Sequence, residues 1–342
     1  MKITVLIENT VNKEIIVNNE KTVNSEKTVN NEITVNNENT VNNEKTVNNE
    51  FTVNIKSPAA CVPLPPGSRT TANNLKCEHG LSLFIEYGEF RYLLDAGSTG
   101  AFLDNAEALS VPVMEADACI LSHSHYDHGG GFAPYLERNS RANVYAMKGA
   151  GSDYYSGSGG EIHRVGIPEQ VLPAYRERFI FIDGPFELEK GVMLIPHRTP
   201  GLERIGEKAK LYKKVGDEYL PDDFSHEMSL VFDTPRGLAI FNSCSHSGIG
   251  TILQEVEQAF PGKKPYAFFG GLHMKGKENG REICAFSEEE VGEMASYIKK
   301  SGLDYLYTGH CTGQAGYDML KKYLGTRVKR LATGCTIVLQ EN

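Results

Sequence analysis

What the sequence lacks removes several classes of protein. No run of 18 apolar residues occurs, so nothing reads as a membrane-spanning helix. Positive charge is not in excess: 35 Lys and Arg stand against 44 Asp and Glu, and a net charge of −9 argues against nucleic acid as the main partner. The seven cysteines, Cys61, Cys77, Cys119, Cys244, Cys284, Cys311 and Cys335, form no CxxC pair. An odd, dispersed set reads as reduced thiols rather than a disulfide framework. A phosphate loop of the Walker type and a GxSxG elbow are also absent. The start, "MKITVLIENTVNKE", reaches Glu8 and Asn9 too soon for the apolar core of a signal peptide, so a cytoplasmic location is expected.

What remains is 342 residues, 40% hydrophobic and 23% charged, a globular composition of one large domain or two ordinary ones. Residues 1–55 stand apart. Nine valines recur every sixth residue from Val5 to Val53, and glutamate does the same from Glu8 to Glu50. A coil of such units would turn lysine and asparagine inward beside a lone valine, with too little apolar surface to offset chain entropy. The repeat is therefore expected to be low-complexity chain rather than a solenoid. Its first residues differ: Ile3, Val5, Leu6 and Ile7 crowd together as a buried strand does. The expected organisation is a first core strand in residues 1–8, a hexapeptide-repeat insertion and Pro/Gly/Ser linker over 9–74, and a folded domain over 75–342.

In that domain the pattern is α/β, of the α+β kind. "LSLFIEYGEFRYLLDAG" reads as a hairpin turning at Tyr87-Gly88-Glu89, and Phe102, Leu103, Ala106 and Leu109 form one helical stripe. "DACILSHSH" is a short buried strand. Strands are expected over 179–195, an irregular charged segment over 198–226, and then alternating elements. These are helices at 249–260, 287–301 and 314–324, with strands at 265–270, 303–308 and 328–339. Hairpins followed by alternation suggest sheets covered by helices.

The segment "LSHSHYDHGGG" packs three histidines and an aspartate into six positions at the end of that buried strand. His123 and His125 share one side of an extended segment and can meet one ion, while Asp127 and His128 project to a neighbouring point. Imidazole and carboxylate are ligands of Zn, Fe or Mn. Burying all four without a cation would leave polar groups poorly paired. One or two divalent ions are therefore expected, zinc first, with Asp127 the catalytic carboxylate and Gly129, Gly130 and Gly131 letting the backbone pass closely. One loop cannot complete two metal shells. His246 and His310 follow apolar strands and are the expected remaining ligands; His226, His273 and Cys244 are weaker metal or substrate candidates. Asp95 ends a strand and would cap a turn or orient a metal-binding histidine. His79, His163 and His197 are expected at the surface, and Lys148, Arg164 and Arg198 read first as solvated surface charges, any one of which could instead contact a substrate phosphate.

These motifs resemble the metallo-β-lactamase superfamily. "HSHYDH" matches its His-x-His-x-Asp-His signature, "LLDAG" its early Asp motif and "TGHCTG" its late His motif. Together with "EHGLSLFIE", "HEMSLVF", "NSCSHSGI" and "FFGGLH", they are similar to the branch of 7,8-dihydropterin-6-methyl-4-(β-D-ribofuranosyl)aminobenzene 5'-phosphate synthases. The resemblance implies an αββα sandwich with metal at one edge of two sheets. His123 and His125 would bind a first metal, and Asp127, His128 and His310 a second. Where most members offer a bridging Asp this chain reads "NSCSH", so His246 or Cys244 would substitute; His226 would stand for the third histidine of the first site. The implied function is a metal-dependent hydrolase or transferase of a small, phosphorylated substrate. Two rivals are a pterin synthase in the strict sense and a non-catalytic metal or redox-cofactor binding protein.

Overall fold

A computed structural model describes residues 1–10, the backbone of 61–62, and residues 75–340. The remainder of the repeat and linker, and so the expectation for them, lies outside the described residues. Two large sheets face each other. The first has eight strands in the order Cys61–Val62, Thr336–Val338, Lys2–Ile7, Ser82–Tyr87, Phe90–Leu94, Ala118–Ile120, Asn143–Met147, Phe179–Ile182. The second has seven: Phe186–Glu189, Val192–Pro196, Met228–Thr234, Gly237–Phe241, Pro265–Phe269, Tyr305–Thr308, Val328–Arg330.

Alternation along the strands builds the layers, because successive side chains point to opposite faces. Ile3, Val5, Leu83 and Ile85 face inward, against Leu194, Leu230, Phe232, Phe241 and Phe269 of the second sheet. Phe84 and Leu93 face outward and pack under Phe102 and Leu103 of helix Ala101–Ala108 and Phe132 and Tyr135 of helix Phe132–Arg138. On the far side Ile240, Phe268 and Leu306 pack under helices Ile249–Ala259, Glu288–Ser301 and Gly313–Leu324. The result is an αββα sandwich. No helix among the described residues is long and apolar enough to cross a membrane.

Lys2–Ile7 pairs antiparallel with both Ser82–Tyr87 and Thr336–Val338, inside the first sheet. Two elements differ from expectation. The single strand expected over 328–339 is two strands in different sheets, because the turn at Gly334, with φ 84°, carries the chain from one to the other. The segment 198–226, expected to be irregular, forms helix Glu203–Ala209 and strands Leu211–Val215 and Glu218–Pro221. These strands join Tyr154–Ser156 and His163–Arg164 in a small sheet. Its core is little more than Leu202, Leu211 and Phe224, too few apolar residues to leave a period in the sequence.

Candidate metal centre

The expected site residues converge where strands end. Ala118–Ile120 runs into His123 and His125, Gly237–Phe241 into Cys244 and His246, Pro265–Phe269 into His273, and Tyr305–Thr308 into His310. Helix Tyr126–Gly129 then sets Asp127 and His128 a step beyond His125. Gly130 and Gly131 serve this turn rather than a ligand: a Cβ would stand 2.1 Å from the Ser98 carbonyl oxygen and 2.0 Å from that of Ala96. Only glycine lets the loop lie so close to its neighbouring backbone.

Two clusters result. In the first, the ligand atoms of His123, His125 and His246 lie within 4.8 Å of one another. The rings are 4.7 to 4.8 Å apart by centroid, and all three residues are buried. Nε2 of His123 and of His125, and both ring nitrogens of His246, have no hydrogen-bond partner among the described residues. Burial and the neighbouring imidazoles hold His123 and His246 far below the ordinary histidine range, and burial drives His125 down to about 3. These are neutral rings whose lone pairs meet at one point. Unpaired buried nitrogens are costly, and a divalent cation removes the cost, so this donor set fits a metal ion.

The second cluster joins Asp127, His128, His310 and Cys244. His128 Nε2 is 3.2 Å from His310 Nε2, 3.2 Å from Cys244 Sγ and 3.5 Å from Asp127 Oδ2. His310 Nε2 is 3.3 Å from the same carboxylate oxygen. Here burial would depress His128, but the Asp127 and Asp95 carboxylates outweigh it and raise it to about 10. Burial would raise Asp127, yet His128 and His310 hold it well below the usual carboxylate range. Cys244 also lies within 4.8 Å of the donor atoms of His123 and His128, between the clusters.

Polar neighbours fix the tautomers. Asp95 accepts from the Ser122 amide at 2.7 Å, the Ser122 hydroxyl at 2.6 Å and His128 Nδ1 at 2.7 Å. Because that hydroxyl proton goes to Asp95, His123 Nδ1 donates to Ser122 Oγ, at 2.9 Å, and its Nε2 is left as a donor to metal. His310 Nδ1 meets Asn9 Oδ1 at 3.1 Å, and its amide donates to Glu8. Glu227 accepts from the amides of His246 and Ser247, both at 2.8 Å.

Not every expected ligand joins. His226, expected as third histidine of the first site, has both nitrogens engaged: Nδ1 accepts the Ser124 amide at 2.9 Å and Nε2 donates to Asp222 Oδ2 at 3.0 Å. Its donor atoms and those of His125 and Asp222 lie within 4.8 Å of one another, a group beside the His123, His125 and His246 cluster. His273 packs on His246 with centroids 4.3 Å apart and leaves Nδ1 unpartnered. His79 is exposed, as expected, and it also stacks on His310 and brings Nε2 to 3.3 Å from Asp127 Oδ2. His197 is buried instead of exposed, between Glu255 and Ser229. Sequence reasoning passed over Glu8, Asn9, Glu227 and Cys311. Glu227 and Cys311 sit beside residues already singled out, which was their only signal.

A cavity of about 1410 Å³ opens on both clusters. Its wall carries Arg164, Lys210, Lys275 and Lys277, and its only carboxylate among the described residues is Asp127. Arg164 pairs with Glu169 and Lys275 with Glu282, while Lys210 and Lys277 have no ion-pair partner among the described residues. Lys148 and Arg198, both candidates for a substrate phosphate, pair with Asp183 beside a separate depression.

Residues 75–206 match the family model described as the metallo-beta-lactamase superfamily. The chain is 27% identical over 271 residues to the Methanocaldococcus jannaschii 7,8-dihydropterin-6-methyl-4-(beta-D-ribofuranosyl)-aminobenzene-5'-phosphate synthase, covering 75% of this chain and 88% of that one. A second protein of the same organism, the uncharacterized MJ0448, is 26% identical over 69% of this chain and 84% of its own. Among solved structures, Tm1679, described as a metal-dependent hydrolase of the β-lactamase superfamily, superposes with a TM-score of 0.68 at 20% identity, covering 100% of both chains. That likeness concerns the fold.

Proposed function

From the match of residues 75–206 to the metallo-beta-lactamase superfamily model, we propose that the protein is a metal-dependent hydrolase or transferase of that superfamily acting on a small, phosphorylated substrate. The observation that carries this reading is the set of buried, unpartnered imidazole nitrogens on His123, His125 and His246 beside the Asp127, His128, His310 and Cys244 cluster. His123, His125 and His246 would hold one divalent ion, zinc or in its place iron or manganese, and the second cluster the other. Such ions supply Lewis acidity and lower the pKa of water from 15.7 toward about 7.

The chain's own groups supply the rest. Asp127 opens on the cavity and orients the attacking group, while Asp95 keeps the His128 proton on Nδ1 and its Nε2 turned to the cluster. Lys210 and Lys277, which have no ion-pair partner among the described residues, attract the phosphate of the substrate into a cavity otherwise short of charge balance. In the hydrolytic form water attacks at the cavity floor. In the transfer form an arylamine attacks a pterin methylene carbon and diphosphate leaves; the identity to the M. jannaschii synthase favours that form.

Metal analysis of the purified protein, followed by assays on phosphodiesters, lactones and thioesters, tests the proposal. Turnover of one of these supports hydrolysis, and diphosphate release only when pterin diphosphate and arylamine phosphate are both present supports transfer. Stoichiometric metal without turnover in either assay would sink the enzymatic reading and leave a binding protein.

A further inference from the structure

Outside the metal-facing groups, four side chains form one continuous chain of hydrogen bonds. His197 follows strand Val192–Pro196, and its side chain is fully buried. Nδ1 lies 2.6 Å from Glu255 Oε2, and Nε2 lies 2.7 Å from Ser229 Oγ. Ser229 Oγ also accepts from Asn242 Nδ2 at 3.1 Å, and Asn242 Oδ1 accepts the Ser245 amide at 2.7 Å.

The ends of this chain fix its direction. A backbone amide can only donate, so the Asn242 oxygen must face Ser245 and its NH2 must face Ser229. At the other end Glu255 accepts from the Arg198 amide at 2.9 Å and the Thr199 hydroxyl at 2.8 Å as well as from His197. A carboxylate that accepts three donors places the imidazole proton on Nδ1. His197 Nε2 is then an acceptor, and the Ser229 hydroxyl supplies its hydrogen. Every group is satisfied with a neutral ring, and the polarity runs one way from Ser245 to Glu255.

Ser245 is where this matters. It stands between Cys244 and His246 and holds φ 54°, a left-handed conformation that a non-glycine residue keeps only when its surroundings enforce it. Glu227 ties the loop down at His246 and Ser247, and Asn242 ties it at Ser245. An apolar residue would fill the place of His197 without the desolvation cost of a buried polar chain, so packing alone does not account for it.

We propose that His197 is a positioning residue for the ligand loop: acting through Ser229 and Asn242, with Glu255 as the outer anchor, it sets Cys244 and His246 where they meet the ions. This inference rests on the metal-centre reading above. The test uses full-length protein loaded with Co2+, comparing affinity by chelator competition and the visible and thiolate-to-metal absorption bands. His197→Phe keeps a ring but removes both hydrogen-bonding nitrogens, and His197→Gln keeps one donor and one acceptor. Weakening of about tenfold or more with shifted bands is expected for His197→Phe, with substantial recovery in His197→Gln. Ser229→Ala, which deletes one oxygen from the middle link, should weaken binding in the same direction and serves where His197→Phe does not fold. Wild-type affinity and unchanged bands in His197→Phe, or in Ser229→Ala where that variant serves, would overturn the positioning role. A wild-type protein that takes up no Co2+ would overturn the metal-centre reading, and this role with it.

Discussion

The two donor clusters lie side by side but are built on opposite principles. His123, His125 and His246 make no hydrogen bonds among the described residues through the nitrogens that converge, and are held neutral by burial. Asp127, His128, His310 and Cys244 contact one another, and His128 keeps a proton that the two carboxylates favour. The first cluster is a preformed socket whose only good partner is a cation. The second is partly satisfied without one and must shed protons to take one. The difference teaches that two neighbouring ions would differ in their cost of binding even on similar ligands.

The sharpest way to break the comparison is to remove one socket ligand. His246→Ala should abolish metal at the first position, while His226→Ala, whose nitrogens are already engaged, should leave the metal content near that of wild type; elemental analysis of both decides it. Loss of metal in His226→Ala with retention in His246→Ala would reverse the assignment. Next in size is Asp95→Asn. It weakens the acceptor of His128 Nδ1, so uptake at the second position should fall by about 10- to 100-fold with a smaller change at the first, read by titration with a chelator.

The pH dependence separates the clusters directly. His128 is raised to about 10 in the metal-free protein, so a proton competes with metal at the second position throughout the neutral range. Affinity there should climb about tenfold per pH unit per proton released, up to about pH 10. Burial lowers His125 to about 3, so affinity of the first position should be nearly flat above pH 5. Calorimetric titrations at several pH values check this, and equal slopes at both positions would refute the distinction. The smallest effect is expected from Asn9→Ala, which removes the acceptor of His310 Nδ1. A loss of about 1 kcal/mol, or several-fold in affinity, should appear at the second position only.

Much of the fold was legible because it is local. The alternation of Leu83, Phe84 and Ile85 announces a strand with two buried faces, and the stripe Phe102, Leu103, Ala106 announces the helix above it. His-x-His-x-Asp-His was legible for the same reason, as its residues are neighbours in one loop. The small sheet over 154–221 was not, because a core of a few residues imposes no period. Context put His246 ahead of His226, because His246 follows an apolar strand and His226 precedes one, but it could not show what each histidine meets. The Ser124 amide and the Asp222 carboxylate, both brought in by folding, engage the two nitrogens of His226, whereas those of His246 meet no partner among the described residues.

By itself the sequence determined that a His- and Asp-rich loop follows a buried strand, that layered sheets carry it, and that further histidines wait at other strand ends. Those features depend on residues a few positions apart, whose geometry the backbone period dictates. Tertiary structure alone decided which histidine goes where. It brought Asn9 to His310 across 301 residues and Cys244 to His128 across 116. It also buried His197 between Glu255 and Ser229. Such pairings are set by the closing of two sheets on one core, and no spacing along the chain encodes them.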